Sequence, residues 1–113
     1  MSPSPVMRYK IIYHVGNELT IKTRVSSGTL ILKNDMAIIS DSSELTILFS
    51  DVTTVEMFRL HGLGRMIRIV CKERTIFLTA VRVNFFGYFV IINFFRTGEL
   101  YESLKKRVQK MAI

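Results

Sequence analysis

Lys22 and Arg24 stand two residues apart in the segment Leu19 to Val25, where Leu19, Ile21, Thr23 and Val25 alternate with Thr20, Lys22 and Arg24. Period-2 alternation marks a half-buried strand, so the two cations share its polar face. Cations so placed can converge on a phosphate, whose oxygens accept charge-assisted hydrogen bonds, and Lys33 beside a following turn can join them. The other reading is a solvated strand face. A second basic group, Arg59, Arg65 and Arg68, surrounds His61 and reads either as a separate anion patch or as the solvated end of a hairpin. Phe85-Phe86-Gly87-Tyr88-Phe89 admits three roles. In order of preference these are filling of the core, a protein interface, and insertion at headgroup depth with Arg82 and Arg96 on the phosphates.

No constellation spells out a reaction. His61 has only His14 as a companion, and no serine or carboxylate stands at the spacing of a catalytic triad. Cys71 is the single cysteine, which excludes an internal disulfide and a cysteine-based zinc site. Gly62 and Gly64 precede no helix and belong to no phosphate-loop motif, so they serve a turn. The expectation is a non-enzymatic protein without cofactor or metal.

With 113 residues and 49% hydrophobic content the chain suffices for one core and is too short for two. The division expected is a flexible tail at residues 1–7 and a single domain over residues 8–113. Sixteen Lys and Arg against nine Asp and Glu, a net charge of +7, bias encounters toward anionic lipid, nucleic acid or an acidic protein. Nucleic acid is disfavoured, because no sheet-type RNA-binding motif of paired aromatic and basic residues is present. Residues 1–6 carry no signal-peptide pattern, and a lone apolar cysteine fits a reducing compartment, so the expected location is cytoplasmic, with peripheral membrane contact. Ile76 to Phe95 is long and apolar enough to span a bilayer. Against a span stand Asn84, Gly87, Asn93 and Arg82, the last costing about 2.5–3.5 kcal/mol at the middle of the membrane.

Turn signals divide the rest. Ser26-Ser27-Gly28 breaks the first clear strand; Asn34-Asp35 joins Thr29–Lys33 to Met36–Ser40 as a tight hairpin; Asp41-Ser42-Ser43-Glu44 makes the next break. Leu45–Phe49 and Val52–Leu60 follow, separated or merely kinked by Ser50-Asp51. Arg65–Cys71 and Thr75–Val83 complete a meander. Phe86–Phe95 is read as a buried strand on its aromatic and β-branched content, although its continuous apolarity leaves a helix open. A helix over about residues 98–112 closes the chain, with Thr97 as its cap, Glu99 and Glu102 early, and Lys105, Lys106, Arg107 and Lys110 late. Its stripe Leu100, Leu104, Val108 and Met111 should plug an open end of the β body.

Gly28-Thr29-Leu30-Ile31-Leu32, Met36-Ala37-Ile38-Ile39, and Ile47-Leu48-Phe49-Ser50-Asp51-Val52-Thr53-Thr54-Val55-Glu56, followed by a closing helix, resemble the pleckstrin-homology (PH) superfold in its GRAM and bacterial PH-like form. The resemblance covers about residues 18–112 and rests mostly on core and turn positions. It implies a mainly β split barrel of about seven antiparallel strands in two near-orthogonal sheets closed by one helix. It also implies a binding module for phosphoinositides, other anionic lipids, peptides or partner domains. The lipid-binding pattern of basic residues across the first two strands in such domains is matched by Lys10, Lys22 and Arg24. Two readings remain. One is a peripheral lipid-binding module using Lys10, Lys22, Arg24 and Lys33; the other is a protein-interaction or self-association module using the aromatic surface or a sheet edge.

Overall fold

Alternation of apolar and polar side chains from Met7 onward already separates two faces of a sheet. A computed structural model of the chain describes residues 6–16, 25–60, 64–83, 90–92 and 94–111. Its strands are β1 (Met7–Val15), β2 (Ser26–Leu32), β3 (Met36–Ser40), β4 (Glu44–Leu48), β5 (Val52–Leu60), β6 (Gly64–Cys71), β7 (Thr75–Val83) and β8 (Val90–Ile92), followed by the helix α1 (Phe94–Met111). Seven strands run antiparallel in the order β4-β3-β2-β1-β7-β6-β5, and the short β8 pairs with β7 off that path. The protein is mainly β with one C-terminal helix. Among the described residues no helix is long and apolar enough to cross a membrane, and the first part of the Ile76–Phe95 run forms β7, buried from Ile76 to Val81.

The edges of this sheet, β4 and β5, are joined by a single 3-10 turn, Phe49–Asp51. The chain from Leu48 to Val52 reaches at most about 14 Å, whereas a flat seven-stranded sheet would hold its edges about 29 Å apart. The sheet therefore curls. Inside the curl, Tyr9, Ile11, Leu30, Leu32, Ala37, Ile39, Ile47, Phe49, Ile67, Ile69, Ile76, Leu78 and Ala80 pack into one core with Leu100 and Leu104 of α1. Val108 packs at its margin, while Met111, the last residue of the expected stripe, is exposed.

Strand β1 is shared: Met7–Tyr13 pair with β2, and Ile11–Val15 with β7. Its first half therefore lacks a β7 partner, and α1 takes that place. Arg96 Nη2 donates to the Arg8 carbonyl at 3.1 Å, and the Tyr9 hydroxyl donates to Glu99 at 3.1 Å. A similar gap opens where the β6–β7 pairing stops at Leu78. There the Ala80 N–H donates to Thr97 Oγ1 at 3.2 Å, and the Thr79 and Thr97 hydroxyls meet at 3.0 Å.

Several expectations are corrected. Met7, read as tail, begins β1 and lies opposite Leu32. Ser26-Ser27-Gly28 is not a break but the start of β2. Gly28 lies opposite Ile11, where a β-carbon would sit 3.0 Å from the Ser40 carbonyl and 3.3 Å from the Tyr13 ring, so close packing rather than a turn requires glycine. The strand expected over residues 86–95 is represented by β8 alone among the described residues, and α1 starts at Phe94, four residues before the expected 98. A continuous apolar run carries no period to tell a buried helix from a strand. Thr97 is consequently not a cap: it lies inside α1, fully buried, with its hydroxyl turned to the backbone of β7. The Leu19–Arg24 part of the expected first strand lies outside the described residues.

Thr97→Val keeps the side-chain shape and removes the hydroxyl bonds to Thr79 and to the Ala80 backbone. Urea unfolding should show a loss of about 1–3 kcal/mol, the cost of stranding buried polar groups. A change below about 0.5 kcal/mol, ordinary for a surface position, would remove Thr97 from this role.

Candidate binding surface

On β1–β4 the strand period sends Tyr9, Ile11, Leu30, Leu32, Ala37, Ile39 and Ile47 into the core and their neighbours outward. The register lines those neighbours up. One row across the outer face runs Arg8, Ile31, Ile38, Thr46; the next carries Met36 opposite Leu48; a third runs Lys10, Thr29, Ser40, Glu44. Ile31, Met36 and Ile38 are half-buried, Leu48 is 43% exposed, and Arg8, Lys10 and Lys33 are exposed. An aliphatic strip thus has cations along the β1 side and at the β2–β3 turn.

The backbone beneath two of these cations is anchored from the far side of the sheet. Arg96 binds the Arg8 carbonyl, and the buried Arg107 donates from Nη1 to the Lys33 carbonyl at 2.8 Å. Burial pushes the Arg107 guanidinium below its ordinary pKa. The anchors hold the main chain and leave the side chains of Arg8 and Lys33 facing out. The β2–β3 turn is closed by the Lys33 N–H donating to the Met36 carbonyl at 2.8 Å across Asn34-Asp35, as that dipeptide suggested.

Of the residues singled out from sequence, Lys10 and Lys33 share this face. Lys33 lies four residues along β2 from Thr29, the partner of Lys10, so the two are about 13 Å apart along the strand direction. That is too far to grip one phosphate and suits a charged surface. Lys22 and Arg24 lie outside the described residues, as do His61 and Phe85, Phe86, Tyr88 and Phe89. The Arg59, Arg65, Arg68 group is split. Arg59 and Arg65 lie directly opposite each other, whereas Arg68 points to the other face and pairs with Glu56 at 2.7 Å. One residue's offset in a strand reverses the face. His14 lies beside the Phe77 ring with centroids 6.5 Å apart, and burial pushes the Cys71 thiol above its usual pKa. Among the described residues no three His, Cys, Asp or Glu side chains cluster as metal ligands.

Arg8, Ile31, Met36, Ile38 and Leu48 were not foreseen as a site. Alternation alone assigns each to the outer face, but only the cross-strand register makes them neighbours. Two recesses accompany the surface. One of about 170 Å³ lies between β4 and the β6–β7 turn, lined by residues including Leu48, Cys71, Lys72 and Arg74. Another of about 260 Å³ lies between β5 and α1, lined by Thr53, Thr54, Val55, Lys105, Val108 and Gln109.

No known family matches the chain, and no curated protein matches it. Among solved structures it is similar to the C-terminal domain of an unknown protein from Leishmania infantum, with 11% identity and a TM-score of 0.63 over 91% of this chain and 82% of that one. At that identity the likeness speaks for the fold alone.

The turn after the Lys10 row is held by the Tyr13 hydroxyl donating to Asp41. That bond, then the Ser43 N–H and the Ser42 hydroxyl, hold the Asp41 carboxyl below its ordinary pKa of 3.8; the same bond raises Tyr13 above 10.0. The Asp41 contribution to stability is present above 3.8 and disappears as pH falls through the lower folded value. The Tyr13 contribution is present below 10.0 and disappears as pH rises through the higher one. Tyr13→Phe should therefore flatten both flanks of the stability–pH profile measured by denaturation. An unchanged acid flank would exclude the bond as its source.

Proposed function

We propose that this chain is a non-enzymatic PH-like module that docks peripherally on anionic lipid headgroups through the outer face of β1–β4. The observation that carries the reading is the strip Ile31, Met36, Ile38 and Leu48 bordered by Arg8, Lys10 and Lys33. In those rows Glu44 is the acidic residue, with Asp35 at the hairpin turn. Aliphatic side chains at headgroup depth gain by leaving water, and each nearby cation gains about 1 kcal/mol from an anionic surface. The cation spacing favours recognition of a charged surface over one headgroup. Lys22 and Arg24 join the proposed site on sequence grounds.

The architecture proposed with it is a split barrel, β1–β4 facing β5–β7 at a steep angle with α1 across one end. It is supported by the strand order, by β1 serving both halves and by the short Phe49–Asp51 link. Flotation on phosphatidylserine vesicles tests the function. Binding should weaken steeply with salt, and Arg8→Ala/Lys10→Ala/Lys33→Ala should lower affinity about 100-fold. Equal binding to neutral vesicles, or an unchanged triple variant, would defeat the proposal.

A second reading is docking of a protein chain on a sheet edge. The nine-residue β5 ends the sheet, and the recess beside α1 has Val55 and Val108 in its lining. If that edge serves self-association, sedimentation velocity should show a mass that rises with concentration and falls back on Val55→Lys. A concentration-independent monomer would exclude self-association.

A further inference from the structure

Arg59 and Arg65 face each other directly across β5 and β6. Their register continues through Met57 opposite Ile67 and Val55 opposite Ile69, so the arginines stand where the core-facing side of the sheet runs out. Side chains so opposed have β-carbons about 4.5–5.5 Å apart, and like charges there repel. Among the described residues neither guanidinium has an ion-pair partner. Arg68, two strand positions beyond Met66, spends its charge on Glu56 instead.

Arg65 is also held in place. Its carbonyl accepts from the hydroxyl of Thr79, a fully buried residue joined in turn to Thr97 of α1. Its Nη1 lies 3.7 Å from where a β-carbon on Gly98 would sit, so the guanidinium rests against the helix at a position without a side chain. Glu102, four residues along α1 from Gly98, is exposed and makes no ion pair with it. The result is a half-buried arginine fixed against a helix, an exposed arginine opposite it, and ten N–H donors between them by the chemistry of two guanidinium groups.

We propose that Arg59 and Arg65 together bind a phosphate monoester, each guanidinium pairing with the oxygens of one dianion. The planar fork of arginine matches two phosphate oxygens, and a dianion relieves the repulsion between the two cations. The site is independent of the membrane-facing reading: it uses the core-facing side of β5 and β6 at its margin, whereas that reading uses the outer face of β1–β4. The phosphate belongs to a soluble phosphomonoester or to a lipid headgroup, and the experiment has an arm for each.

Isotope-labelled full-length protein is titrated with inorganic phosphate and with inositol 1,4,5-trisphosphate, and the amide resonances of Arg65 and Gly98 are followed. Saturable shifts at both positions are expected. Arg59→Gln and Arg65→Gln should each weaken binding at least about tenfold, and Arg59→Lys, which keeps the charge and loses the fork, should also weaken it. The amide spectrum of each variant reports folding separately from binding. In the lipid arm, vesicles carrying a phosphatidylinositol phosphate are compared with phosphatidylserine vesicles. An extra affinity for the former that Arg59→Gln abolishes assigns the headgroup; its absence alongside saturable soluble binding assigns a soluble ligand. No saturable shift, equal binding by Arg59→Gln and Arg65→Gln, or equal weakening by Lys10→Ala/Lys33→Ala would overturn the site. Failure of the β1–β4 face to bind phosphatidylserine would leave this titration unaffected, so the two proposals fail separately.

Discussion

Phe49–Asp51 must bring together strands that the hydrogen-bonded order of the sheet places furthest apart. A backbone so short cannot cross the width of a flat sheet, and every other feature accommodates that fact. The turn is tied on both sides. The Phe49 N–H donates to the Asp35 carbonyl at 3.1 Å, in the β2–β3 turn, and the Lys72 N–H donates to the Asp51 carbonyl at 3.2 Å, in the β6–β7 turn. Phe49 itself is buried in the core. Curling gives the sheet a concave side that can be filled with Ile, Leu and aromatic side chains, and a convex side that remains in contact with water.

A curled sheet cannot keep all its ladders intact, and α1 answers the resulting deficits with polar side chains. Leu100 and Leu104 supply apolar contact, but the helix is located by Thr97 on Ala80, Arg96 on Arg8, Glu99 on Tyr9 and Arg107 on Lys33. Three of these meet a backbone N–H or C=O where the strand pairing leaves a gap or a turn. Stranded backbone groups in a buried setting are costly, so such bonds specify position beyond what an apolar stripe can. Arg107 accepts desolvation in this role, which shows in its lowered pKa.

The same anchors connect fold and surface. Fixing the carbonyls of Arg8 and Lys33 from α1 sets the orientation of strands whose outer residues form the proposed docking face. Thr79 fixes Arg65 in a similar way beside α1. Arg8, Lys33 and Arg65 are therefore cations whose own backbone carbonyls are held by side chains of α1 or β7, and the two proposed sites lie on different strands.

Much of this was legible in local pattern. The hairpin at Asn34-Asp35, the turn at Asp41–Ser43, the strands β5, β6 and β7, and the inward stripe Leu100, Leu104 all follow from residue period and turn chemistry, which act over a few neighbouring residues. By itself the sequence determined which side of its strand each residue takes. It did not determine which strand lies next door. That choice brought Arg8 beside Ile31 and Ile38, set Arg59 against Arg65 and Arg68 against Glu56, and moved Thr97 from a helix cap to a partner of β7. Only the tertiary structure could decide it, because strand pairing and the curl imposed by the Phe49–Asp51 link are long-range constraints that leave no mark in the period of any single segment.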